Sequence, residues 1–204
     1  MALSQILENR NVKISLWIVA GILVTCLGIA TWVDRIHQTQ KNIQKYWLIV
    51  AENVNHRVEM LAPFARFISG SDPRAQTTVQ LLAAAYEKAK HFPLDEKIID
   101  DAASMQAFGN LQQEIVQALV QLNIIVQSNP TLAQNQHYVS LQNQLKAFEA
   151  QIIFASSVLE RQIEYYNSLI TGFPEGWVNM IYPQYHVKYF SHIATLENEI
   201  NKRK

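Results

Sequence analysis

PTLAQNQHYVSLQNQLKAFEAQIIFASSVLERQIEYYNSLI, residues 130–170, decides the fold. Its apolar positions are Tyr138, Leu141, Leu145, Phe148, Ile152, Ala155, Leu159, Ile163, Tyr166 and Ile170. Gaps of three or four place them on one face of an α-helix. Asn129 can cap that helix and Pro130 can fill its first turn. A helix from Pro130 to Ile170 would run about 60 Å. An apolar stripe of that length needs facing helices, so an elongated antiparallel four-helix bundle is expected. Gly172, Phe173 and Pro174 end the helix.

The facing helices lie upstream. Trp47, Val50, Val54, Val58, Leu61, Phe64 and Ile68 form a stripe with the same spacing, and Pro63 predicts a kink or break near Leu61–Phe64. Gly70-Ser71-Asp72-Pro73 reads as a stop and a start, with Gly70 suited to a left-handed cap. A second helix is expected from about Pro73 to His91, with Val79, Leu82, Ala85, Tyr86 and Ala89 inward. Residues 91–110, HFPLDEKIIDDAASMQAFGN, read as a connection with room for a short helical piece. A third helix starts at Ala102 or Asn110 and ends at Gln127, with Leu111, Ile115, Ala118, Leu122 and Ile125 inward. After Gly172, the segment Glu175–Tyr189 with Trp177, Tyr182, Tyr185 and Pro183 reads as an irregular aromatic strap. Residues 191–204 read as a tail or a short last helix. No stretch shows the two-residue alternation of a strand, so the class is all-α.

The run Ile14–Val33, ISLWIVAGILVTCLGIATWV, is free of charge. Twenty helical residues span about 30 Å, the thickness of a bilayer's hydrocarbon core, and a helix satisfies its own backbone there. Trp17 and Trp32 stand near the ends, where indoles favour the interface. The run is longer than a cleaved signal's apolar region and lacks a small-residue cleavage site. Leu23-Val24-Thr25-Cys26 only loosely matches a lipidation signal. The expected plan is therefore a tail at 1–13, a single membrane span at 14–33 and a helical domain at 34–190. Arg10 and Lys13 precede the span while Arg35, Lys41 and Lys45 follow it, so the positive-inside tally is close to even. The tally leaves the side of the domain open, and the working expectation sets it outside the cytoplasm.

Charge narrows the function. The chain has 17 Lys+Arg against 17 Asp+Glu, and from Asp34 onward the balance is 15 to 16. No field points toward nucleic acid. A single cysteine excludes an internal disulfide and a Cys-based zinc site. No Glu stands three residues before a His, as a di-iron bundle requires. Phosphate loops, nucleophile elbows and dinucleotide fingerprints are also missing. No metal, cofactor or catalytic site is expected.

Several stretches, taken in order, resemble the LemA family. These are RVEMLAPFARFISG (57–70), with its Arg57, Pro63 and Gly70, and NPTLAQNQHYVSLQNQL (129–145), with the Leu141-Gln142 pair. Glu149 and Ile152 follow, then YNSLITGFP (166–174) and Tyr189-Phe190. The resemblance covers roughly Trp47 to Phe190. Departures mark a divergent member: Leu159-Glu160 replace a Tyr-Asn pair, Ser156 replaces an Arg, Ala150 replaces an Asn and Arg57 stands single. The resemblance implies a four-helix bundle on a membrane anchor, in a bacterial envelope protein. It implies no reaction.

The polar residues expected to matter are Asn55, Arg57, Glu149, Tyr166 and Asn167, grouped as one cluster with Asn53 near it. Arg57 and Glu149 are expected to pair across helices and fix their register, because a buried pair specifies alignment more than it stabilises. Pro63, Gln142, Phe173, Pro174 and Trp177 complete the candidate structural and interaction positions. The expected role is a non-catalytic scaffold or adaptor holding a protein partner beside the membrane, with homo-oligomerisation left open. The alternatives are a membrane subunit of a larger secretion or trafficking assembly, with Gly21, Thr25, Cys26 and Gly28 packing a second helix, and a ligand- or peptide-binding bundle.

Overall fold

A computed structural model describes residues 10–70, 75–172, 179–180, 185–191, 193–196 and 199. The Ser71–Pro73 turn, Phe173, Pro174, Trp177, Tyr182, Pro183 and the terminal basic residues fall outside them. Among the described residues every regular element is helical. They are α1 (Arg10–Glu59), α2 (Leu61–Ser69), α3 (Gln76–Lys90), a 3-10 turn η1 (Glu96–Asp100), α4 (Ala102–Gln127), the short α5 (Pro130–Ala133) and α6 (Gln136–Thr171).

Helix α1 has 50 residues and runs about 75 Å without a break. Its two halves live in different surroundings. Residues 14–31 are all exposed, and this is the one helix among the described residues long and apolar enough to cross a membrane. From Trp32 onward the stripe Trp32, Ile36, Thr39, Ile43, Trp47, Val50 and Val54 is buried. Trp32 was expected at the lipid interface. It is instead 5% exposed, because the indole N–H donates to the Leu169 carbonyl at 2.8 Å. That carbonyl belongs to the last turn of α6, which has no intrahelical partners left.

Antiparallel pairing of α1 and α6 follows from their contacts. Trp32 meets Leu169, Asn42 meets Gln162, and Arg57 meets Glu149. Helices α3 and α4 are likewise antiparallel. Lys88 meets Glu114 near one end, and Thr77 and Gln121 line the same groove at the other. Helix α2 sets Phe64 and Phe67 against the Tyr138 ring of α6.

Three local expectations need correcting. The long helix does not start at Pro130. It divides into α5 and α6, because Asn135 takes an extended backbone and its side chain accepts from the His137 and Tyr138 amides, making a new N-cap. Gly70 is not left-handed; its φ is −83° and ψ −10°. The irregularity near Pro63 falls at Met60, between α1 and α2. Proline lacks the N–H that would reach the Glu59 carbonyl in a continuous helix. The Met60 and Phe64 amides still bond four residues back, and Met60 keeps a helical backbone, so the interruption is confined to one residue.

The apolar core is split in two. One part holds Ile43, Trp47, Val50, Val54, Phe108, Ile152, Leu159 and Ile163. The other holds Val58, Leu61, Phe64, Leu82, Ile115, Leu122, Tyr138 and Leu145. Arg57 and Glu149 are buried at the sequence positions between them, and Gln112 is buried next to Leu111 of the second.

Candidate interaction site

Arg57 lies on the inward face of α1 and is fully buried. Its Nη1 donates to Glu149 Oε1 at 2.8 Å and to the Ala194 carbonyl at 3.0 Å. Its Nη2 donates to the side-chain oxygen of Gln112. Glu149 Oε2 accepts from the Leu196 amide at 3.2 Å. A charge with this degree of burial survives only when paired and hydrogen-bonded. Here α4, α6 and the C-terminal segment each supply a partner. The Arg57–Glu149 pair is where the sequence predicts it. Gln112, Ala194 and Leu196 were missed. Gln112 is one glutamine among many, and the other two contribute backbone atoms that leave no mark in a sequence.

Tyr166 and Asn167 do not join this layer. They lie 17 residues further along α6, about 25 Å away. Asn55 is exposed and also stands apart, and the Asn53 amide bonds back to the Ile49 carbonyl. The single expected cluster is therefore two sites.

The second site is a clasp. Asn167 donates to the Lys188 carbonyl at 2.8 Å and accepts from the Lys188 amide at 2.9 Å, which pins an extended segment to α6. The Lys188 ammonium pairs with Asp100 and sits 5.6 Å over the Tyr166 ring. Burial pushes the Tyr166 hydroxyl upward in pKa against the Gln40 hydrogen bond, and the Asp100 carboxylate adds to the rise. Tyr189 donates its amide to the Ile99 carbonyl at 2.7 Å. Nearby, Asn179 repeats the device, bonding both the carbonyl and the amide of Tyr185. From Tyr185 to Leu196 the described chain thus passes from the Trp32 end to the Arg57 layer, parallel to α1.

This strap leaves a groove against α6. Ile152, Ile153, Ser156, Ser157, Phe190 and Thr195 line a cavity of about 140 Å³. The Ser156 and Thr195 hydroxyls are buried there without a protein partner. Gly109 of α4 makes room on the strap's other side, since a Cβ on it would stand 2.9 Å from the Ser191 hydroxyl. Pro63 sits in the first turn of α2, and Gln142 donates to the Tyr138 hydroxyl.

The family model described as LemA family matches residues 46–202. The chain belongs to the LemA family. The LemA match begins about four helical turns into the buried half of α1 and continues past the strap. Both the Arg57 layer and the Asn167 clasp fall inside it, while the exposed apolar part of α1 falls outside. Comparison with the curated proteins finds no match.

Proposed function

We propose that this LemA-family protein is a single-pass, membrane-anchored, non-catalytic scaffold of the bacterial envelope, its body an elongated antiparallel four-helix bundle. One observation carries the reading. The exposed apolar residues 14–31 and the core-forming stripe from Trp32 to Val54 belong to one unbroken helix. No linker separates span from body, so the body is held at a fixed height above the span, as a scaffold requires. The inward polar groups are spent on register and on the strap. The outward face of α6 keeps Ile153 and Phe154 exposed, 43% and 59%, for contact with a protein partner.

Two experiments test this. The full chain should stay in the membrane pellet after alkaline carbonate, while a variant lacking residues 1–30 should be released and melt cooperatively. A variant that pelleted equally well would remove the anchor. A photo-crosslinker at Phe154 in intact cells should give one discrete adduct that is absent from a label at Gln113. Matching patterns from the two positions would count against a scaffold surface on α6.

A second reading is a peptide-binding bundle. It is favoured by the unpartnered Ser156 and Thr195 hydroxyls in a groove that Ser157 and Glu160 also line. Buried polar groups normally find partners, and a peptide backbone would supply them. Under this reading a peptide selected on the parent chain from a displayed library loses binding in Ser156→Ala; unchanged binding removes the reading.

A further inference from the structure

The height at which α1 meets α6 has a consequence for the membrane, resting on the single-pass reading above. Trp32 is the penultimate residue of the charge-free run, and Asp34 and Arg35 follow it. The bilayer interface therefore lies close to the level of Trp32. Three described features share that level. The Leu169 carbonyl accepts the Trp32 indole N–H, so the last turn of α6 is there. The Tyr185 ring stands edge-on to Trp32 with centroids 5.8 Å apart. Asn179 holds the Tyr185 backbone by two hydrogen bonds, which brings its neighbour Met180 to the same corner, and Met180 is 84% exposed. The sequence agrees: from Tyr165 to Val187 it carries one charged residue, Glu175, among many aromatic and apolar ones. The aromatic share of this composition suits the membrane interface, where Trp and Tyr rings are enriched.

We propose that this corner, Met180 beside the Trp32–Tyr185 pair at the end of α6, is a lipid-contacting foot. It rests in the bilayer interface next to the point where α1 emerges. The protein then meets the membrane at two places, the span and the foot, and two contacts fix the tilt of the body where one helix alone would let it swing.

The test uses the full chain with Cys26→Ser, reconstituted in phosphatidylcholine/phosphatidylglycerol vesicles. An environment-sensitive fluorophore is attached in turn at Met180→Cys, Gly21→Cys and Gln134→Cys. Quenching is read with lipids brominated either near the headgroup or deep in the chain, and circular dichroism checks each variant's fold. The foot predicts blue-shifted emission at position 180, lost with shallow bromines more than with deep ones. Position 21 should be quenched by deep bromines and position 134 by neither. Unquenched emission at 180 beside a quenched 21 overturns the foot and leaves the span standing. A blue shift at 180 that neither bromine quenches also overturns it, since protein would then cover the site. No quenching at 21 removes the span and the foot together.

Discussion

Arg57 donates to acceptors on three separate segments, at Gln112, Glu149 and Ala194. Removing one member of a buried pair leaves the other charge stranded, which typically costs about 3–5 kcal/mol. Arg57→Met and Glu149→Leu should each lower the unfolding free energy by about that amount. The double variant should recover most of the loss, short of full recovery because the Gln112 and Ala194 oxygens stay unsatisfied. Urea unfolding of the four proteins checks this, and additive single losses would contradict it. Charge reversal at both positions should rescue less, since a carboxylate at 57 would face the Ala194 carbonyl. Tyr138 gives a second residue-scale prediction. Burial pushes its hydroxyl up to about 12 against the Gln142 hydrogen bond. The folded state thus favours the neutral phenol. Its contribution is complete below the ordinary tyrosine value of about 10 and fades as pH rises toward 12. The urea midpoint should fall over that window, and Tyr138→Phe should flatten the fall. At this scale the Arg57–Glu149 pair was legible, because opposite charges on the inward sides of two stripes have few other fates. The position of Tyr166 was not read correctly. Chemistry grouped it with Arg57, although 17 residues of helix hold it away.

The ends of the elements are less legible than their existence. The three-and-four spacing in residues 47–68 and 138–170 marks real helices, and Asp101 and Asn129 both cap as their residue types suggest. The division at Asn135 was hidden. Gln134 continues the local composition, and only the backbone at Asn135 reveals the new start. The aromatic strap was legible in Glu175–Tyr189, but its run onward to the Arg57 layer was hidden, because those hydrogen bonds go through the backbone of Ala194 and Leu196. Two glycines can test how closely these ends are built. A Cβ at Gly172 would stand 2.6 Å from the Ser168 carbonyl oxygen, a backbone atom that cannot turn aside. Gly172→Ala should therefore cost about 1–3 kcal/mol. The conflict at Gly109 is with the Ser191 hydroxyl, which can rotate away, and alanine gains about 1 kcal/mol in a helix interior. Gly109→Ala should leave the thermal midpoint near or above that of the parent protein. Trp32→Phe should cost about 1–2 kcal/mol, because the Leu169 carbonyl loses its donor inside the body. Chemical unfolding in detergent measures all three, and an unchanged Gly172→Ala would show that the end of α6 is looser than described here.

For the whole molecule, the C-terminal segment closes the body. Deleting residues 191–204 removes the Ala194 and Leu196 contacts to the Arg57 layer together with the buried Ile193 and Thr195. The shortened chain should stay helical by circular dichroism yet melt at lower temperature, and an unchanged melt would free the layer from the strap. The all-helical class and the candidate span were legible in composition and periodicity alone. The joining of span to body was not, because Trp32 reads as an interface residue until α6 is seen beside it. That joining is central: one continuous α1 carries the candidate span directly into the core. The most direct measurement is a distance between spin labels at Gly21→Cys and Lys41→Cys, in a Cys26→Ser background, by pulsed electron resonance on the full chain in lipid. Twenty helical residues predict a narrow distribution centred at about 30 Å. A broad distribution, or one centred well below that distance, would place a hinge at the membrane surface and contradict the account.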